Sequence, residues 1–193
     1  MALIQGRIPV PAALAKHSVQ VEDSGEWLDK VLWDEQTYLD NATTLLTFFT
    51  GLPASIEAGN LDQAGMVGGN RLFVIRQIAV GFRTALFTDI DQLIRNGVLR
   101  LFIGAKDYGE WIISKLPQAG GVSGFVDTTN NATISLANNG HPDPRSGYTL
   151  TRPLLIGPQT NFRVVCEWPV AQNISANVVV RVFLKGELGR FIQ

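Results

Sequence analysis

Arg71-Leu72-Phe73-Val74-Ile75-Arg76-Gln77-Ile78-Ala79-Val80-Gly81-Phe82-Arg83 is the stretch whose reading decides the fold. Its period is two. Leu72, Val74, Ile78, Val80 and Phe82 fall on one face of an extended chain, with Arg76 as the exception. Gln77, Gly81 and Arg83 lie opposite, with Phe73, Ile75 and Ala79 among them. That pattern predicts a strand buried on one face and partly covered on the other.

The same period recurs. Phe162, Val164, Cys166 and Trp168 alternate with Arg163, Val165 and Glu167, and Pro169 stops the run. Val178, Val180, Val182 and Leu184 alternate with Val179, Arg181, Phe183 and Lys185. Leu99, Leu101 and Ile103 alternate with Val98, Arg100 and Phe102. Tyr148, Leu150, Leu154 and Ile156 share a face that Arg152 interrupts. Residues 43–50 are rich in Thr, Leu and Phe, which suit a pleated surface. Weaker strands are expected at 124–127, 133–137 and 188–192. Gly, Asn and Pro punctuate the runs, as in Gly68-Gly69-Asn70, Asn96-Gly97 and Gly157-Pro158. About eight strands separated by such turns read as an all-β antiparallel sandwich or barrel.

Helical signal is sparse. Leu28, Val31, Leu32, Glu35 and Leu39 mark a candidate amphipathic helix after Ser24. Tyr108, Trp111, Ile112 and Leu116 mark a second, ended by Pro117. Residues 87–94 are ambiguous, with Asp89, Asp91 and Gln92 permitting a short helix.

Composition narrows the function. The chain has 193 residues, a formal net charge of −1 and 17% charged residues. An average soluble domain carries about 25%. The apolar share of 46% excludes intrinsic disorder. The lack of a basic excess argues against direct nucleic-acid binding. The one cysteine, Cys166, rules out a disulfide framework and reads as a small core hydrophobe. Arg7, Pro9 and Pro11 interrupt any secretory h-region, and no apolar run reaches the length of a membrane helix. Synthesis in a cytoplasm is expected, with the chain staying there or leaving inside an assembly.

No catalytic constellation is assembled. His17 and His141 are the only histidines, and each sits in a segment of loop character. Asp89, Asp91 and Asp143 lack the pattern of a calcium loop. Gly65-Met66-Val67-Gly68-Gly69 is followed by a strand, so it is not a phosphate loop. The Asn-x-Ser/Thr triplets at Asn41, Asn131 and Asn173 read as coincidences of an Asn-rich chain. The expectation is a protein that is not an enzyme and uses no cofactor and no metal. His141 and Asp143 in one loop are the only motif for the contrary reading.

The run Leu154-Leu155-Ile156-Gly157-Pro158-Gln159-Thr160-Asn161-Phe162-Arg163-Val164, then Glu167-Trp168-Pro169, then 180–190, resembles the last strands of viral jelly-roll capsid proteins. It is most similar to the single-jelly-roll capsid proteins of icosahedral bacteriophages. Phe48-Phe49, Gly59-Asn60-Leu61 and Lys106-Asp107-Tyr108-Gly109-Glu110 fit the same texture. The resemblance implies an eight-stranded antiparallel jelly-roll β-sandwich with one or two short helices. It implies residues 1–40 as an N-terminal arm and 41–193 as the jelly-roll domain. It further implies a virion capsid subunit that associates with itself and with other virion proteins.

Apolar residues in the arm and loops are the expected contacts. They are Leu3, Ile4, Ile8, Val19 and Val21 in the arm, then Trp27 and Trp33. Met66, Tyr108, Trp111 and Phe191 complete the set. Without a basic arm, such a shell suits separation from the genome by another layer, such as an internal membrane. The alternative is a β-sandwich binding module, a spike or decoration protein that recognises a carbohydrate or receptor. Trp27, Trp33 and Trp111 would then be stacking platforms.

Overall fold

The 71–83 stretch is one strand, but an extra residue at its middle exchanges its two faces. The computed structural model describes residues 25–83, 86–118, 123–127, 134–138 and 147–191. In chain order the elements are β1 (Gly25–Tyr38), β2 (Leu45–Phe48), β3 (Arg71–Arg83), α1 (Phe87–Asn96), β4 (Val98–Ile103) and β5 (Lys106–Ile112). A 3-10 turn (Ile113–Lys115) follows, then β6 (Ser123–Asp127), β7 (Ile134–Asn138), β8 (Tyr148–Ile156), β9 (Phe162–Glu167) and β10 (Val178–Phe191).

Eight of these strands form two four-stranded antiparallel sheets. The first has the order β1-β10-β3-β8 and the second β2-β9-β4-β5, while β6 and β7 pair as a separate hairpin. The pairing is nested. Leaving the hairpin aside, the first strand pairs the last, β2 pairs β9, β3 pairs β8 and β4 pairs β5. One core joins the sheets, with Ile78, Val80, Val182 and Leu184 on one side and Phe48, Leu101, Val164 and Cys166 on the other. The chain is therefore an all-β sandwich.

The bulge corrects the face assignment of β3. Lys185 of β10 stands opposite Gln77, and Gly186 opposite Ile75, so Arg76 has no partner in the register. An unpaired residue reverses parity in a period-two chain. Phe73 and Ile75 therefore point into the core with Ile78, Val80 and Phe82. Leu72 and Val74 fall on the other face, where both are nevertheless buried. The displaced Arg76 makes a two-pronged pair with Glu187, at 2.8 and 3.0 Å. Gly186 permits the tight crossing, since a Cβ there would stand 1.8 Å from the Val74 carbonyl oxygen.

Two helix expectations are overturned. Residues 25–38 are a strand paired with β10 along its whole length, from Gly25↔Phe191 to Tyr38↔Val178. Leu32, Asp34 and Tyr38 are buried on its inner face. This strand fills the last part of the segment 1–40 expected as an arm, and residues 1–24 lie outside the described residues. Residues 106–112 are likewise a strand, turned back on β4 through Gly104 at φ 60°. Only the 3-10 turn after it is helical. The ambiguous 87–94 stretch is helix α1, whose Ile90 and Leu93 are buried.

Polar contacts fasten α1 and the chain reversal before β10. Asp89 accepts hydrogen bonds from the Ser175 amide (3.1 Å) and hydroxyl (2.5 Å). The Trp168 indole donates to the Leu93 carbonyl at 3.0 Å. Asn96 donates to the Gln172 carboxamide at 2.7 Å. The fully buried Tyr38 hydroxyl accepts the Gln172 amide at 2.6 Å, while its ring meets Trp168 edge-on at 4.8 Å.

Two substitutions test this account by urea denaturation. Tyr38→Phe leaves a buried amide unsatisfied and is expected to cost about 1–3 kcal/mol with an unchanged m-value. Gly186→Ala meets backbone rather than a movable side chain, so it is expected to cost at least the roughly 1–3 kcal/mol of an overpacked core.

Candidate interaction surfaces and a polar cleft

The outer face of the second sheet follows from its register. One row runs Leu45, Glu167, Val98, Ile112 across all four strands. The next runs Thr47, Val165, Arg100, Glu110. Leu45 and Ile112, on the two edge strands, are 53% and 48% exposed. Between them Arg100 pairs with Glu110 at 3.1 Å and reaches Glu167 at 3.9 Å. Arg163 lies over the Phe102 ring at 4.4 Å. The face thus carries exposed apolar residues on both edge strands, with the ion-paired Arg100, Glu110 and Glu167 beside them.

The outer face of the first sheet is built differently. Its rows are Glu35–Arg181–Gly81, Trp33–Phe183–Ala79 and Trp27–Gly189–Leu72. Trp27 and Leu72 flank Gly189, 3.1 and 3.0 Å from where its Cβ would be, closer than ordinary van der Waals contact. Arg181 lies 5.8 Å from the centre of the Phe183 ring.

A cleft of about 450 Å³ opens over this face, lined by Trp33, Ile56, Glu57, Phe82, Arg83, Gln118 and Arg181. Arg83 contacts Glu35 at 3.5 Å and Glu57 at 3.4 Å. Arg181 pairs with Glu35 and donates to the Glu57 carbonyl at 3.0 Å. The Gln118 side chain lies over Gly81 beside Phe183.

The 49–60 loop forms one rim of this cleft and is tied to the edge of β1. Glu35 donates its amide to the Ala58 carbonyl at 2.8 Å, and Asn60 donates its amide to the Trp33 carbonyl at 3.2 Å. The Asn60 carboxamide accepts from the Trp33 amide at 2.9 Å and donates to the Val31 carbonyl at 2.7 Å. From the inner side, buried Asp34 accepts the Phe49 amide at 2.5 Å and the Glu35 amide at 2.9 Å. Burial pushes the Asp34 carboxyl above its ordinary range, outweighing the hydrogen bonds that pull it down. A smaller apolar groove of about 300 Å³ lies between α1 and the end of β3, with Phe82, Ile90 and Ile113 among its walls.

The expected contact residues are spread over these surfaces. Trp27 and Trp33 are half-buried on the outer face of β1, and Trp33 enters the cleft. Tyr108 is exposed on edge strand β5. Trp111 instead packs on the core beside Tyr148, 6.3 Å between ring centres. Met66 is half-buried in a loop that bridges to Asn161. Phe191 ends β10. Leu3, Ile4, Ile8, Val19 and Val21 lie outside the described residues, as do His17, His141 and Asp143.

Sequence reasoning missed Leu45, Ile112 and Ile56, the last 79% exposed. Their signal was an apolar residue on the face of a strand or loop opposite its buried neighbours. Cys166 is fully buried, and burial raises its thiol pKa well above the ordinary value, so it is unreactive. Among the described residues no three His, Cys, Asp or Glu side chains are grouped to hold a metal, and no helix is long and apolar enough to cross a membrane. Compared with family models, curated proteins and solved structures, the chain matches none.

Asp34 gives a pH test. An acid whose folded pKa is raised supports the folded state fully below its unfolded pKa, and loses that support as pH rises through the folded value. The stability of the wild type relative to Asp34→Asn is therefore expected to fall as pH rises from about 4 toward neutrality, read from denaturation midpoints at each pH. A wild type that gains stability relative to Asp34→Asn as pH rises contradicts the assignment.

Proposed function

We propose that the protein is a jelly-roll capsid subunit that self-assembles into the icosahedral shell of a bacteriophage. The observation that carries this reading is the nested pairing of β1 with β10, β2 with β9, β3 with β8 and β4 with β5. Rolling up a ribbon of four antiparallel pairs, with successive pairs falling alternately in two sheets, generates that order, so it favours a jelly roll over other sandwiches. A fold hosts many functions, so the step to a shell needs its own support. The resemblance of the 154–190 run to phage capsid proteins supplies part of it. The apolar rims of the second sheet, Leu45 and Ile112, supply the rest.

Assembly in this reading is driven by burial of apolar area. At about 25 cal/mol per Å², modest contacts become decisive when repeated around a closed shell. A net charge of −1 lets copies approach without mutual repulsion. The partners are further copies and other virion proteins, with no direct contact to nucleic acid and with a membrane as the layer beneath the shell.

Electron microscopy and analytical ultracentrifugation of the purified protein test the reading. Closed particles or regular oligomers are expected as concentration rises, and Ile112→Asp is expected to shift assembly to at least about tenfold higher concentration. A protein that stays monomeric at every concentration and is missing from purified virions overturns it.

A further inference from the structure

We propose that the cleft over the outer face of the first sheet binds a neutral carbohydrate, with Trp33 as its stacking wall and Glu57, Arg83, Gln118 and Arg181 as its hydrogen-bonding groups. This goes beyond the shell reading and does not depend on it.

Size is the first support. A volume of about 450 Å³ lies within the roughly 300–1,000 Å³ of small-molecule sites and accommodates one or two sugar rings. The second support is the wall. A pyranose has an apolar C–H face and a polar rim, and the matching surface is an aromatic ring beside polar side chains. Trp33 is half-buried and lines the cleft, and Phe183 stands directly across from it in the register of β1 and β10.

Charge selects the class of ligand. Two guanidinium groups, Arg83 and Arg181, are matched by two carboxylates, Glu35 and Glu57. An anion would compete with both carboxylates for the same donors, and a cation would compete with both arginines. A neutral polyol competes with neither. It uses donors and acceptors the ion pairs leave over, because a guanidinium carries five N–H groups and a carboxylate about four acceptor sites. Glu57, with its side chain 72% exposed and a 3.4 Å contact to Arg83, keeps acceptor capacity beyond that contact. Gln118 contributes a donor and an acceptor in one group.

Rigidity is the last support. Trp33, Arg181 and Phe82 stand on three adjacent paired strands, and the rim loop is held by five hydrogen bonds to β1. A site already in place costs little to order when a ligand arrives.

The test is saturation-transfer NMR of the purified protein with glucose, galactose, N-acetylglucosamine, maltose, cellobiose and lactose, and with glucosamine and sialic acid as charged controls. Saturation of the ring protons of at least one neutral sugar at about 10 mM is expected, with weaker or no transfer to the charged pair. Trp33→Ala and, separately, Glu57→Ala are expected to weaken that binding at least about tenfold. Glu57 is exposed enough that its removal leaves the fold intact, so the proposal stays testable if Trp33→Ala fails to fold. No transfer to any neutral sugar overturns the proposal. So does a preference for a charged sugar, or binding that Glu57→Ala leaves unchanged.

Discussion

The pairing of β10 with β1 on one side and β3 on the other is the constraint on which the first sheet depends. β10 supplies Val180, Val182 and Leu184 to the core, all fully buried, and holds a fourteen-residue strand against its outer edge. β10 keeps one parity inward from Val178 to Leu188, but the two ends of β3 present opposite parities to the core, which takes a local correction. The extra residue at Arg76 is that correction. It lets Phe73 and Ile75 serve the same core as Ile78, Val80 and Phe82. A long charged side chain suits the bulge, because it leaves the ladder and finds Glu187 on the next strand.

What the sequence disclosed depends on where each contact lies along the chain. β9 was legible because every inward residue is apolar and every outward neighbour but Val165 is charged. The ends of β3 were legible too, but not its bulge, which exists only in the relation between Lys185-Gly186 and Ile75–Gln77. β1 was misread for a related reason. Its inward positions include Asp34 and Gln36, so alternation is blurred, while Leu28, Val31, Leu32 and Leu39 happen to fall at helical spacing. The pairing with β10 outweighs that local signal. The cleft left no local trace at all, since its walls come from Trp33, Glu57, Arg83, Gln118 and Arg181. Five positions scattered over the chain carry no motif.

Two neighbouring regions of the sandwich are fastened by unlike means. Near α1, buried polar groups are satisfied one by one. Asp89 serves Ser175, Asn96 serves Gln172 and Tyr38 serves the Gln172 amide. Such groups stabilise only as complete sets, since one missing partner strands another in the interior. Along β1 the fastening is mostly backbone to loop, with Asp34 and Asn60 as brackets. The first arrangement positions a helix. The second positions the cleft rim.

Nested pairing also governs how the chain reaches its fold. Glu26 and Arg190 are joined across 164 positions, and among the described strands β1 pairs only with β10. On a ribosome the earliest described strand therefore waits for its strand partner until nearly all of the described chain has emerged. Only the β4–β5 turn offers a short-range pairing within the two sheets, so the innermost pair is the natural place for structure to begin and the outermost pair closes last. Contacts of such long sequence separation make folding slow and leave edges exposed meanwhile. The scarcity of charge that serves the finished sandwich is a hazard during that interval, and concentration and temperature during synthesis become part of what decides how much chain arrives folded.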